Sequence, residues 1–91
     1  MRSAANHVSI RAARADALFA SALQRSDEPS AGRVRQAIAA TIAARSGSGC
    51  AALVAQAFGE HPETAITRMR WARTTVADVF GAARPELARA A

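Results

Sequence analysis

The chain has 91 residues, one cysteine and a formal net charge of +5, and 51% of its residues are hydrophobic. A chain of this length holds one small domain, which excludes a large enzyme with separate cofactor and substrate domains. Its 26 alanines, against three prolines and five glycines, favour an all-α fold, because alanine is the best helix former and a poor strand former.

The first helix is predicted over about residues 8–25. Apolar residues recur there at helical spacing, and the stripe comprises Val8, Ala12, Ala15, Phe19, Ala22 and Leu23, with Leu18 at its edge. Ser9 is the expected N-cap. Residues 26–30 predict a turn, because Pro29 blocks continuation of a helix and Ser30 is a suitable N-cap for the next one.

The second and third helices are predicted over about residues 31–45 and 50–58. The second carries an apolar face at i, i+4 spacing that smaller residues extend: Val34, Ile38 and Ile42, then Ala37, Thr41 and Ala44. Its opposite side is also small and apolar, so we expect this helix to be central and covered on more than one side. Glycines in the run 46–49 are expected to end it in a left-handed conformation. The third helix is expected to end at Gly59.

The fourth helix is predicted from about Pro62 to Phe80, because proline suits a first helical position and Gly81 ends the pattern. Its core stripe is Ala65, Ile66, Met69, Ala72, Val76 and Phe80. The expected fold is a small orthogonal bundle of four main helices in a single domain, with residues 1–7 and 82–91 as tails. Large apolar residues are scarce, so we also expect a homodimer that buries more apolar surface.

The basic residues are all arginines, and they concentrate in the first half of the chain. Residues 1–45 contain seven arginines against three acids, and residues 46–91 contain five against four. A basic chain favours nucleic acid or an acidic partner. The single cysteine, Cys50, is expected to be a small buried apolar residue in a reducing compartment. No stretch approaches the roughly 18–20 uninterrupted apolar residues of a membrane span, and no signal peptide is evident, so we expect a cytoplasmic protein.

Residues 51–70 resemble the bacterial helix-turn-helix pattern. Ala55 matches the small residue at which the two helices cross, and Gly59 matches the turn glycine four residues later. The run 61–64 matches the polar start of the second helix in form, and Ala65 and Met69 stand where buried residues are expected. Glu60 departs from the pattern, which usually has an apolar residue there.

The helix-turn-helix resemblance implies that duplex DNA is the partner. Glu63, Thr64 and Thr67 would then face the DNA groove, with Arg68 and Arg70 near phosphates. Three runs also resemble small helical proteins of GC-rich actinobacteria, which implies a source and not a function: 49–52, 58–63 and 68–71.

Trp71 lies roughly opposite the core stripe of the fourth helix. Three interpretations stay open: cover by the first helix or the tail within the monomer, a dimer or partner interface, and stacking on a nucleic-acid base. Arg73, at the edge of the stripe, is expected to pack its stem and to direct its guanidinium to solvent or to a carboxylate such as Asp16.

No catalytic residue, metal ligand or cofactor is predicted. One cysteine and two histidines give no zinc spacing, no glycine-rich phosphate loop is present, and His61 is expected to be a helix cap. The sequence therefore favours a small DNA-associated regulator that uses residues 51–73. The alternative is a non-enzymatic helical protein-interaction module. The feature that separates them is whether other arginines fold beside Arg68 and Arg70: Arg11, Arg14, Arg33 or Arg35.

Overall fold

The structure is a computed structural model that describes the backbone of residues 2–81 and the side chains of residues 10–81. It contains three α-helices: α1 (Arg2–Ala20), α2 (Ala31–Glu60) and α3 (Pro62–Gly81). A short 3₁₀ helix, Arg25–Asp27, lies between α1 and α2, and residues 2–81 include no strand. The all-α prediction is confirmed. Four separate helices are not supported, because the predicted second and third helices form α2 together; the predicted tail 82–91 lies outside the described residues.

α1 differs from the predicted first helix at both ends. It begins at Arg2, so Ser9 is not its N-cap, and it ends at Ala20 instead of continuing to about residue 25. The hydroxyl of Ser21 explains the early end: it donates to the Leu18 carbonyl at 2.7 Å and accepts from the Leu23 amide at 3.2 Å. Such local hydrogen bonds compete with continuation of the helix.

Residues between α1 and α2 form the predicted turn. The Gln24 amide donates to Oδ2 of Asp27 at 2.9 Å, which closes the 3₁₀ helix. The Arg33 amide donates to Oγ of Ser30 at 3.2 Å. Ser30 is therefore the N-cap of α2, as predicted, and satisfies one of the free amides at the helix start.

α2 contains a break at Ser46, which adopts a φ of 69° and a ψ of 165°. The Gly49 amide donates to Oγ of Ser46 at 3.1 Å, so this serine caps the second half of α2 much as Ser30 caps the first. The prediction that a glycine of the run 46–49 ends the helix in a left-handed conformation is wrong, since no glycine of residues 2–81 has a positive φ. Gly59 likewise lies inside α2 and does not form a turn.

The core joins all three helices, each of which contacts the other two. Leu18 and Val34 are fully buried, although Leu18 was predicted only at the edge of its stripe. Phe19 on α1 stacks on Phe58 of α2, with ring centroids 6.3 Å apart. On α3 the predicted stripe is buried at four positions: Ala65, Met69, Ala72 and Val76. Ile66 is 46% exposed, contrary to expectation.

α2 is not central. Only Val34, Ile38 and Cys50 are buried along its 30 residues. Ile42, expected in the core, is 36% exposed, and Ala44 is also exposed. Within residues 2–81, α1 and α3 pack against this helix along one side.

Candidate functional site

Arg68 joins α3 to the end of α1. Its guanidinium lies within hydrogen-bonding distance of four backbone carbonyls at and just after the end of α1. Nε donates to the Phe19 carbonyl at 2.9 Å, and the two hydrogens of Nη2 are shared among the carbonyls of Leu23 at 2.9 Å, Ser21 at 3.0 Å and Leu18 at 3.3 Å. Carbonyls at the end of a helix have no partner within the helix. One arginine therefore supplies donors to carbonyls of the last turn of α1 and of the turn that follows it.

Aromatic rings enclose the same guanidinium. Its carbon lies 5.5 Å from the ring centroid of Phe19 and 5.1 Å from that of Trp71. Burial lowers the pKa of the Arg68 guanidinium from its ordinary value. The structure thus gives Arg68 a role within the fold, and its phosphate contact stays a prediction.

The other predicted DNA-contacting residues of α3 are exposed: Glu63, Thr64, Thr67 and Arg70. The Thr64 hydroxyl donates to the His61 carbonyl at 3.1 Å, and the Thr67 hydroxyl donates to the Glu63 carbonyl at 3.2 Å. Both hydroxyl oxygens keep their capacity to accept a hydrogen bond.

A shallow groove of about 540 Å³ brings most of these residues together. Its lining comprises Gln24, Arg25, Glu63, Thr64, Thr67, Arg68 and Trp71. Arg25 is the one basic residue in that lining besides Arg68, and Glu63 opposes its charge. Arg11 and Arg14 line a different groove. Among the described residues, the arginines that a DNA surface needs are therefore divided between two separate grooves.

The junction of α2 and α3 departs from the helix-turn-helix pattern. His61 alone separates the two helices, and its amide donates to the Ala57 carbonyl at 2.7 Å. This confirms His61 at a helix end, as the C-cap of α2. Ala65 and Met69 are buried as the pattern expects, whereas Ala55, expected at the helix crossing, is exposed.

Trp71 is half-buried and packs against the core. Arg68 covers it from α3 itself, and the shallow groove places Gln24 and Arg25 beside it. The partial cover leaves part of the ring at the surface.

A larger groove of about 910 Å³ lies between α1 and α3. Its apolar lining includes Ala15, Met69, Val76 and Phe80, and its charged lining comprises Arg11, Arg14, Asp16 and Arg73. We refer to it as the α1–α3 groove. The pairing of Arg73 with Asp16 is expected from the sequence, whereas the groove is not. The i, i+3 spacing of Arg11 and Arg14 was the available signal, because it puts two arginines on one helix face.

Charges in the α1–α3 groove act on one another. Burial raises the pKa of the Asp16 carboxyl, and the positive charge of Arg73 opposes that rise. The guanidinium carbon of Arg14 lies 4.1 Å from the ring centroid of Phe80. An arginine of α1 thereby rests on an aromatic ring of α3.

One stretch of the exposed side of α2, between the exposed Arg35 and Arg45, is uncharged and apolar apart from Gln36. Between Arg35 and Arg45 it presents Ala39, Ala40, Ile42, Ala43 and Ala44, a surface that we call the α2 face. By length and composition α2 would suffice to cross a membrane, with a best-window mean hydropathy of 1.4, and only 11% of that window is buried. Soluble core helices and signal sequences meet the same criterion, so it is weak evidence of a membrane span.

Chemically reactive side chains do not gather in the described part of the chain. Residues that the structure describes include no group of three or more His, Cys, Asp or Glu positioned to hold a metal ion. Cys50 is buried as expected, and burial raises the pKa of its thiol. A thiol in that state is a poor nucleophile.

Comparison of the chain with protein-family models, with curated proteins and with solved structures finds no match.

Proposed function

We propose that the chain is a non-enzymatic helical protein-interaction domain of the cytoplasm, and that the α2 face associates with a second copy of the chain. The observation that carries this proposal is that the most apolar helix is also poorly covered. α2 buries three of its 30 residues, whereas α3 buries four of 20. Contiguous apolar surface of this kind is typical of interaction sites.

A second copy fits the α2 face because that face carries no charge between Arg35 and Arg45. A twofold interface brings the same patch of both subunits together, so an uncharged patch meets no repulsion from its own copy. Alanine side chains also let two helices approach to the short end of the roughly 8–10 Å range of interaxial distances. The interface expected from the sequence centres on Trp71, whereas the exposure of α2 favours this helix.

A membrane is a poorer occupant of the α2 face. Arg45 and the non-helical Ser46 lie at the middle of α2. A charged side chain at a bilayer centre costs about 2.5–3.5 kcal/mol on insertion scales, and a break at that depth leaves backbone groups without partners. Both features are compatible with a helix that packs on protein.

We expect Ala43→Glu to abolish self-association. Ala43 lies at the middle of the exposed arc of α2 at about 100° per residue, so the substitution places a carboxylate opposite its own symmetry copy. Light scattering at micromolar concentration should give twice the 9.5 kDa chain mass for the wild type and the single chain mass for the variant. Ala22→Glu, at an exposed alanine outside α2, is the matched control and should remain a dimer.

A wild-type chain that is monomeric in this measurement would refute the proposed self-association. Co-sedimentation with anionic lipid vesicles tests the other occupant. If the wild type and Ala22→Glu bind the vesicles and Ala43→Glu does not, the α2 face binds a membrane surface instead of a second copy.

Duplex DNA is the second candidate partner, favoured by one observation. Glu63, Thr64 and Thr67 are exposed together on the first turns of α3, in one groove with Arg25, and Arg70 is exposed on the same helix. Exposed polar side chains on one helix are one feature of a base-contacting surface, although Arg68 is engaged within the fold.

If DNA binds there, Arg70→Ala should weaken binding to all sequences alike. The log–log salt slope is about −0.9 per neutralised phosphate, so losing one contact should flatten it by about one unit. Thr67→Ala should change the preference among sequences instead, because its hydroxyl would face base edges. Fluorescence anisotropy at several salt concentrations measures both effects. No binding to duplex DNA at roughly 50 mM salt would exclude this candidate.

A further inference from the structure

The α1–α3 groove combines an apolar floor with a basic rim. Met69 and Val76 are buried at the floor, and Phe80 is half-buried beside them. Three arginines and one aspartate line the same groove, which leaves an excess of two positive charges. Neither the α2 face nor the surface around Thr67 includes any of these residues.

The arginines are placed to hold separate anionic groups. Arg11 and Arg14 are three residues apart on α1, so their Cβ atoms are about 5–6 Å apart on one side of the helix, and Arg73 belongs to the opposite wall on α3. Arg14 rests on Phe80, an arrangement that orders the side chain while the edge of its guanidinium keeps its N–H donors. Arginine binds carboxylates through two parallel hydrogen bonds.

We propose that the α1–α3 groove binds an acidic amphipathic peptide segment of a partner protein. Apolar side chains of the segment would contact the exposed Ala12 and Ala77 and the half-buried Phe80, and its carboxylates would meet Arg11, Arg14 and Arg73. Peptide recognition commonly uses an apolar groove for anchors and charged residues at the rim for specificity. This proposal concerns a surface separate from the α2 face and stands without self-association.

Nucleic acid fits the same groove less well. A phosphate backbone carries a charge at every step and would pass the carboxylate of Asp16, which lines the groove. A peptide can place its carboxylates at the arginines and leave the position beside Asp16 neutral. An apolar floor also gives no advantage to a phosphate backbone.

Selection from a random peptide library displayed on phage, with the full chain immobilised, tests the proposal. We expect the enriched peptides to alternate acidic and apolar residues. Their binding, measured by fluorescence anisotropy, should weaken between about 50 mM and about 300 mM salt, because exposed charge pairs are screened. Enriched peptides no more acidic than the starting library, or the absence of any enrichment, would overturn the proposal.

A double variant identifies the groove as the binding surface. Arg11→Ala with Arg73→Ala should weaken peptide binding by about tenfold, from the loss of two partly exposed charge pairs. Arg33→Ala with Arg35→Ala removes the same net charge from exposed positions of α2 and should leave the affinity within about twofold. Equal affinities of the two double variants would contradict the assignment.

The test must also distinguish a partner peptide from residues 82–91 of the chain itself as the occupant of the α1–α3 groove. Gly81 lines the groove, and the chain continues from there. Leu87 is the one large apolar residue of that segment. Leu87→Ser should leave peptide affinity unchanged, and a tenfold increase would make this segment the resident occupant and overturn the proposal. The light-scattering mass of the Arg11/Arg73 double variant should equal that of the wild type. A loss of peptide affinity in this variant is then independent of self-association through the α2 face.

Discussion

Replacing Ile38 with aspartate is expected to unfold the chain. Ile38 is 5% exposed in the core between α2 and the other helices. An uncompensated buried charge costs about 3–5 kcal/mol, and the loss of the isoleucine side chain adds about 2–5 kcal/mol. Together these approach the whole stability of a small domain, about 5–15 kcal/mol. Far-ultraviolet circular dichroism should show the loss of the helical signal.

Ile42→Asp is the matched control one helical turn further along α2. Ile42 is 36% exposed, so an aspartate there reaches water and the chain should keep its helical signal. Because Ile42 belongs to the α2 face, this variant should also weaken self-association. Equal losses of helical signal from both substitutions would show that α2 is covered on both sides, contrary to the structure.

Arg68→Ala is expected to have the second largest effect, a loss of about 2–4 kcal/mol in the free energy of unfolding. The substitution removes a charged donor from four carbonyls and leaves those of Phe19, Ser21 and Leu23 to be satisfied by water. The Leu18 carbonyl keeps the amide and hydroxyl of Ser21 as donors. Part of the loss is recovered because the site is not sealed from solvent. Urea denaturation followed by circular dichroism measures the change.

Arg70→Ala is the control for Arg68, since both are arginines of α3 and Arg70 is exposed. Its effect should stay within about 0.5 kcal/mol, as for most surface substitutions. Arg68→Lys should fall between Arg68→Ala and the wild type, because an ammonium lacks the planar fork that reaches several carbonyls. If Arg68→Ala is as stable as Arg70→Ala, the hydrogen bonds to α1 do not hold the helices together.

The different roles of Arg68 and Arg70 also decide which variant can test the proposed binding of duplex DNA. Loss of DNA binding in Arg68→Ala would follow from a disturbed fold and would carry no information on phosphate contacts. Arg70→Ala is free of that ambiguity because its side chain lies at the surface. The salt dependence of Arg70→Ala is therefore the measurement that decides this candidate.

Local signals in the sequence were sufficient for the helical class and for part of the core. Helical spacing identified Val34 and Ile38 on α2 and the buried stripe of α3, because a periodic apolar pattern needs only a partner surface and not a particular one. The cap at Ser30 was also readable, since its hydroxyl bonds an amide three residues away. The same logic failed at residues 46–49, where a serine and not a glycine takes the positive φ.

Both grooves and the exposure of α2 depended on how distant segments meet. Arg68 binds carbonyls 45 to 50 residues away in the chain. Every residue carries a carbonyl, so no sequence pattern marks which of them a helix end will leave free. The periodicity of α2 predicted a helix apolar nearly all round, but the number of neighbours decides how much of it is buried.

The sequence by itself determined that this chain is helical, where the turn before α2 falls and which side of α3 is buried, because those features follow from spacing and from hydrogen bonds within a few residues. Only the tertiary structure decided that Arg68 fastens α3 to α1, that Arg11, Arg14 and Arg73 share one groove, and that the α2 face is left uncovered. These features arise when three helices approach one another, and side-chain reach and the directions of free backbone acceptors then select the contacts.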